Sequence, residues 1–144
     1  MASDKDSLKF SSDYMNQDHQ EVLTIVTRLE KLLKLKNPRE MAPRIDSVMM
    51  EMVDLHRQHF DHEDHQMNQY EYPEAAVHQA EHRRVLKDLE AAQQHWLQYR
   101  DISRLNDFIF RRYSSWLLDH LVNMDVEFDS FMYPLIKNNE SDKA

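Results

Sequence analysis

Glycine and cysteine are both absent from this sequence of 144 residues. Phosphate-binding loops and dinucleotide-binding fingerprints depend on glycine for positive φ angles and close approach of the ligand, so neither class of site is expected. Without cysteine the chain can form no disulfide, iron–sulfur cluster or thiolate zinc site. Any metal chemistry must therefore use nitrogen and oxygen ligands, and the nine histidines are an obvious source of them.

Long apolar runs and an excess of positive charge are also lacking. No segment approaches the roughly 20 apolar residues of a bilayer-spanning helix, and residues 1–6 contain no apolar signal core. The net charge of −8 disfavours nucleic acids and anionic membranes as partners. We therefore expect a cytoplasmic protein of one domain, since 144 residues provide one core but not two.

Apolar residues recur at helical spacing in four segments, which predicts an all-α fold. The predicted helices span about residues 13–36, 43 to just before Tyr72-Pro73, 73–97 and 102–132. Because the connections are short, we expect an antiparallel up-down-up-down four-helix bundle with a buried dinuclear metal site.

Polar segments and punctuating residues set the expected limits of this bundle. Asp101 is the predicted N-cap of the fourth helix, and Pro134 is predicted to mark its end or its last, fraying turn. The bundle is expected to cover residues 11–136, with polar tails at 1–10 and 137–144.

Histidine and carboxylate side chains are spaced so that each predicted helix supplies at least one potential metal ligand. His59 precedes Glu63 by four residues, which places both side chains on one helix face with Cβ atoms about 5–6 Å apart. The candidate ligands lie among apolar residues at helical spacing and are His19, His59, Glu63, His78, His82, His120 and Asp125. Burying so many polar groups in one core is costly unless they are paired or coordinate metal. We therefore expect these side chains to converge on one buried site.

The number and type of these ligands predict two metal ions. Five imidazoles and two carboxylates are too many for one tetrahedral zinc but suit two five- or six-coordinate ions with bridging carboxylates. The residue types favour iron, with copper, zinc and manganese left open. Asp125 is the irregular member because it follows His120 by five residues. It reaches the site only from the side, or if the helix is locally overwound or bulged.

Several strings of this sequence closely resemble the bacterial hemerythrins. The matching strings are Asn16 to Gln20, His59 to Asp64, Tyr72-Pro73, His78 to His82, and Trp116 to His120 followed by Asp125. The resemblance extends from about residue 10 to residue 135, and a histidine followed five residues later by aspartate is that family's pattern on its last helix. One departure is Glu71, where the family often has glycine before Tyr-Pro.

The resemblance implies a cofactor of two iron ions, cycling between Fe²⁺ and Fe³⁺ and bridged by an oxo or hydroxo group and by carboxylates. The implied bridging carboxylates are Glu63 and Asp125. One iron would be bound by His78, His82 and His120. The other would be bound by His19 and His59, and its open coordination position would take dioxygen.

Reversible dioxygen binding, for storage, delivery or sensing, is the implied function, and azide or nitric oxide are further ligands of that kind. Such a site needs a pocket that excludes water. The candidate pocket residues are Leu23, Phe60, Met67, Trp116, Leu117 and Leu121. His56 is a candidate hydrogen-bond partner of a ligand, whereas His62, His65 and His95 are expected on polar, partly solvated faces.

Other functions stay open. A di-iron redox enzyme, such as an oxidase or a peroxide or nitric-oxide reductase, is disfavoured because ferritin-like oxidases use Glu-x-x-His motifs, and no glutamate here has a histidine three residues later. We accordingly expect an oxygen-binding protein with at most weak oxidase or peroxidase activity. The domain could also be the input module of a signalling protein, with an output domain or partner protein, or a metal-stabilised interaction module.

Overall fold

The computed structural model describes residue 10 and residues 13–142. Four helices dominate it: α1 (Asp13–Leu33), α2 (Ala42–Gln69), α3 (Ala75–Tyr99) and α4 (residues 102–142), with a short 3₁₀ helix at Pro38–Met41 before α2. These described residues contain no β-strand, so the predicted all-α class is confirmed. None of their helices is both long enough and apolar enough to cross a bilayer.

The helices begin and end close to the predicted positions, and local chemistry explains why. Asp101 caps α4 as predicted, because its side chain accepts a hydrogen bond from the Arg104 backbone N–H at 3.1 Å. Proline near the start of α2 costs nothing, since the first N–H groups of a helix have no partner within it. α1 ends at Leu33, three residues earlier than predicted, and α3 begins at Ala75, two residues later.

α4 contains two π-helical segments. α-Helical segments at Ile102–Asp107, Ser114–Asp119 and Val126–Asp142 alternate with two π-helical segments, Phe108–Tyr113 and His120–Asp125. A π-helical turn is wider than an α-helical turn, with hydrogen bonds between residues five apart instead of four, so residues five apart come much closer to one face. The second π segment begins and ends at two of the candidate metal ligands.

The predicted end of α4 at Pro134 is wrong, because the helix continues through this residue to Asp142. Proline removes one backbone hydrogen bond, and the carbonyl left without it belongs to Ser130, which is exposed to water. Beyond the proline, Ile136 still packs against the apolar core. Residues 137–142 of the predicted C-terminal tail are therefore helical.

The core is continuous and runs through all four helices. It includes Val26 and Leu29 of α1, Met49 and Met52 of α2, Leu89 and Trp96 of α3, and Ile109, Phe128 and Met132 of α4. Residues 1–9 of the predicted N-terminal tail lie outside the described residues. Phe10 is described and is buried, held by two 2.7 Å hydrogen bonds between its backbone and the Asn16 side chain.

Glu71 adopts a left-handed backbone conformation (φ 53°) in the connection between α2 and α3. This conformation costs a residue with a Cβ roughly 1 kcal/mol, whereas glycine adopts it freely. We therefore expect Glu71→Gly to raise the free energy of unfolding by about 0.5–1 kcal/mol, measured by urea denaturation. Glu74→Gly is the matched control: Glu74 has φ −94°, so this change should lower stability. Equal effects of the two changes would contradict the explanation.

Candidate metal centre

Three histidines from two helices point their ring nitrogens at one another in the core. His78 and His82 lie one turn apart on α3, and His120 faces them from α4. All three are at most 3% exposed. The Nε2 atoms of His78 and His120 are 3.3 Å apart. Ligands bound at about 2.1 Å and at right angles around one ion lie roughly 3 Å apart, so this spacing fits coordination of a single ion.

Two buried carboxylates lie between these histidines and His19 of α1. Asp125 places Oδ1 at 3.0 Å from His78 Nε2 and 2.9 Å from His120 Nε2, while its Oδ2 is 2.9 Å from His19 Nε2. Glu63 is arranged similarly. Its Oε2 is 3.1 Å from His82 Nε2, and its Oε1 is 3.7 Å from His19 Nε2. Each carboxylate thus presents one oxygen to the three-histidine side and the other to His19, as bridging ligands do.

The π-helical segment His120–Asp125 explains how the irregularly spaced aspartate reaches the site. With a regular α-helix, a residue five positions after His120 would point well away from it. The wider π turn places both side chains on the same face, and their ligand atoms are 2.9 Å apart. Of the two routes that the sequence leaves open for Asp125, the structure therefore has the bulged helix.

Several buried polar atoms of these side chains make no hydrogen bond within the described residues. Among them are Nε2 of His82, Oε2 of Glu63 and Oδ1 of Asp125. An unsatisfied buried polar atom costs free energy, yet these atoms face one another at close range. One ligand atom from each of five side chains lies within 4.8 Å of the others, from Glu63, His78, His82, His120 and Asp125. We call these five residues together with His19 the inner cluster, and its donor set and geometry fit a metal centre.

The electrostatics of the inner cluster show how strongly its groups interact. Burial alone would lower the pKa of His19, but hydrogen bonds and charge from Asp125 and Glu63 outweigh it and raise the pKa to about 9. For His82, burial is likewise outweighed by the hydrogen bond to Asp64 and by the nearby charge of Glu63, and its pKa is also raised to about 9. Burial and the charge of Asp125 would raise the pKa of Glu63, but its histidine partners lower it to about 2. The carboxylates are therefore ionised and ready to bind a cation.

Asp64 contacts the inner cluster from outside. Its Oδ1 accepts a hydrogen bond from His82 Nδ1 at 2.8 Å, which leaves Nε2 unprotonated and free for a metal when the ring is neutral. This role of Asp64 was not predicted from the sequence. The available signal was an acidic residue immediately after a candidate ligand, which does not by itself identify a partner on another helix.

We expect Asp64→Asn to weaken metal binding by about 10- to 100-fold, because the carboxamide introduced by this change carries no charge to stabilise and orient the His82 ring. Competition with a chelator in the metal-free protein measures the affinity. Asp61→Asn is the control: Asp61 is exposed on the same helix, and its replacement should leave the affinity unchanged. An Asp64→Asn affinity equal to that of the control would exclude a role for this hydrogen bond.

His59 stands apart from the other predicted ligands. Its Nδ1 is 3.2 Å from Asp18 Oδ2, and its Nε2 is 3.5 Å from Glu21 Oε2. It nevertheless lines the same small cavity as His19, Glu63 and Asp125. The structure therefore brings six of the seven predicted ligands into the inner cluster and leaves His59 beside it.

That cavity, of about 20 Å³ and large enough for roughly one water molecule, adjoins the His19 side of the inner cluster. Four of the predicted pocket residues line it: Phe60, Trp116, Leu117 and Leu121. Leu23 and Met67 are not among its lining residues, whereas Val22 is. Leu23 follows Val22 on α1 and so points about 100° away, and Met67 is fully buried in the apolar core.

Aromatic rings enclose the site. Phe60 stacks on His82 with ring centroids 4.1 Å apart, and Trp116 stacks on His120 at 4.7 Å. The indole N–H of Trp116 donates a hydrogen bond to Glu81 at 2.7 Å, which fixes the orientation of its ring. These rings hold the imidazoles in place and cover them with apolar surface.

His56 lines the same cavity, but both of its ring nitrogens are occupied. Nδ1 donates to the Met52 carbonyl at 2.7 Å, and Nε2 hydrogen-bonds the Tyr113 hydroxyl. Burial lowers the pKa of His56 to about 4 and raises that of Tyr113 well above 10. His56 is therefore neutral, and Tyr113 donates to its Nε2.

The remaining histidines lie on more polar surfaces, as expected. His62 and His65 are exposed. His95 is partly buried, with Nε2 at 3.9 Å from an Asp101 oxygen. None of the three belongs to the inner cluster.

A family model described as the hemerythrin HHE cation binding domain matches residues 11–128. The match includes all six residues of the inner cluster as well as His59. No curated protein matches the sequence.

Proposed function

This chain belongs to the hemerythrin family, and on that premise we propose that it binds dioxygen reversibly at a non-haem di-iron centre. The observation that carries the proposal is the position of Glu63 and Asp125, each with one oxygen near His19 and the other near the three remaining histidines of the inner cluster. Two carboxylates shared in this way suit a pair of ions better than one.

In the proposed centre, one iron is held by His78, His82 and His120. The other is held by His19 and His59, and Glu63 and Asp125 bridge the pair. His19 and His59 both line the cavity, so an exchangeable ligand has room beside the iron that they would hold. When bound, the two irons would supply electrons to dioxygen as it binds and recover them as it leaves.

The same proposal extends to the arrangement of the helices. We propose an antiparallel up-down-up-down bundle beginning near residue 11, in which each helix supplies at least one ligand. The short connections and the contacts of α1 with α2 and of α2 with α3 support it.

The cavity favours reversible binding over reduction of oxygen because it offers few protons. Its apolar walls include Leu117, Leu121 and Phe60. His56 has no free ring nitrogen, and Tyr113 keeps its proton because burial raises its pKa. A reductase or oxidase needs a group that delivers protons to the reacting oxygen. Exclusion of water protects the bound ligand instead.

Metal analysis combined with optical spectroscopy tests this function. We expect about two iron ions per chain and a visible absorption band that forms when the reduced protein meets air and disappears on degassing. One zinc ion per chain would contradict the di-iron centre. Immediate irreversible oxidation with turnover of a substrate would instead indicate an enzyme.

We expect Leu117→Gln to shorten the lifetime of the oxygen-bound form, with little change in iron content. Leu117 is 4% exposed and lines the cavity, so the new amide brings a hydrogen-bonding group and water to the ligand. The decay of the visible band in air measures the lifetime, and a decrease of about tenfold corresponds to 1.4 kcal/mol. Leu97→Gln, at an exposed position on α3, is the control. An unchanged lifetime in Leu117→Gln would exclude this residue from the oxygen pocket.

A further inference from the structure

We propose that Asp18, Glu21 and His59 form a second, outer site for a divalent cation, through which iron reaches the inner cluster. This outer site rests on the proposed di-iron function for its role in delivery, but its existence as a cation site is independent of that function. Its ligands come from the outward side of α1 and from α2.

The three side chains already have the geometry of a shallow metal site. Asp18 and Glu21 are three residues apart and so lie on one face of α1. His59 faces them from α2, with its two ring nitrogens 3.2 Å and 3.5 Å from their oxygens. One ligand atom from each residue lies within 4.8 Å of the others. Two carboxylates and one imidazole suit first-row divalent ions such as Fe²⁺ and Mn²⁺.

A buried atom without a partner independently points to a ligand here. His59 is 8% exposed, and its Nε2 lies 3.5 Å from Glu21 Oε2 but makes no hydrogen bond. Asp18 Oδ2 is also buried and makes none. Both atoms would gain a partner if a cation lay between the three side chains.

The position of the outer site suits delivery. The Glu21 side chain is 48% exposed, so a hydrated ion can meet it directly from solvent. The inner cluster, in contrast, is at most 9% exposed at any residue. His59 connects the two because it contacts Glu21 outside and lines the cavity that adjoins His19 and Asp125 inside.

We therefore infer an order of events in which the cation first binds Asp18, Glu21 and His59, and then passes inward as His59 turns towards the cavity. Negative charge at the outer site raises the local concentration of cations. His59 serves both sites in turn, which explains why it is the one predicted ligand that lies outside the inner cluster.

The delivery role is tested by anaerobic loading of the chelator-treated chain with Fe²⁺. Trp116 stacks on His120, so quenching of its fluorescence reports arrival of iron at the inner cluster. If an outer site fills first, the loading rate saturates as the Fe²⁺ concentration rises. We expect Glu21→Gln to raise the half-saturating concentration about tenfold and to leave the final iron content unchanged.

The control is Glu40→Gln, which removes one exposed carboxylate at a site distant in sequence and should load as the unmodified chain does. A loading rate that rises linearly with Fe²⁺ would overturn the proposal. So would Glu21→Gln kinetics identical to those of Glu40→Gln.

The outer site itself is tested in a Glu63→Gln chain, whose inner cluster lacks one bridging carboxylate. We expect electron paramagnetic resonance to show one bound Mn²⁺ that is lost when Glu21→Gln is added but kept with Glu40→Gln. No Mn²⁺ difference between the two double variants would overturn the outer site. The two double variants could differ in bound Mn²⁺ while the unmodified chain fails to take up two irons. That result would support the outer cation site but contradict both its role in delivery and the di-iron function.

Discussion

Replacing Glu63 with Gln is expected to reduce bound iron from about two ions per chain to less than one. Glu63 is 3% exposed and places its two oxygens on opposite sides of the inner cluster. An amide has nearly the same volume but has no negative charge and only one good ligand atom. Because loss of an outer hydrogen-bond partner already weakens metal sites by about 10- to 100-fold, loss of a bridging ligand should exceed about 100-fold. Metal analysis after gel filtration measures the retained iron.

The matched control for this change is Glu51→Gln. Glu51 lies three turns earlier on α2, is half exposed and pairs only with Arg28 within the described residues, so its loss should cost little. Circular dichroism establishes that both variants stay helical. Retention of about two irons and unaltered oxygen binding by Glu63→Gln would show that this carboxylate does not bridge the metals.

The inner cluster could largely be predicted from the sequence because its geometry is local to each helix. The four-residue spacing of His78 and His82 fixes a common face, and the structure places both rings at the same buried point. The apolar residues around His120 predict that it points inward, and it is 3% exposed. The helical periodicity of the surrounding apolar residues therefore predicts which ligand side chains are buried and which helix face they share.

Features that depend on contacts between helices could not be predicted in this way. Asp64 binds His82 across two helices, and no spacing within α2 indicates that partner. The five-residue spacing of His120 and Asp125 is compatible with two routes to the site, and the π segment that decides between them is visible only in the structure. The end of α4 was predicted wrongly at Pro134 for the same reason. The helix continues past this residue, and Ile136 beyond it packs against the core, a contact with residues distant in sequence.

The stability of the metal-free protein is expected to fall as the pH rises from about 6.5 to about 9. Burial is outweighed by the carboxylate partners of His19 and His82, so the pKa of each is raised from 6.5 to about 9 in the folded chain. The folded state therefore holds more protons than the unfolded state across this window. The stability from these two interactions is complete below pH 6.5 and is lost as the pH passes through 9. At the acid end, Glu63, whose pKa is lowered to about 2, stabilises the fold above its unfolded value of 4.5 and loses this effect as the pH falls towards 2.

Metal should reverse the alkaline part of this dependence, because an ion and a proton compete for the same Nε2 atoms. Urea unfolding of the chelator-treated protein and of the protein loaded with redox-inert Zn²⁺, each measured at pH 6 and pH 9, separates the two effects. We expect the metal-free protein to lose a few kcal/mol between these values, and the stabilisation by metal to grow. His82→Gln should weaken the metal-free dependence, leaving the part that His19 contributes, whereas His62→Gln, at an exposed position, should retain all of it. A metal-free stability that is constant or rises over this range would mean that the carboxylates do not hold these histidines protonated, and the close pairing of His19 with Asp125 would then require another explanation.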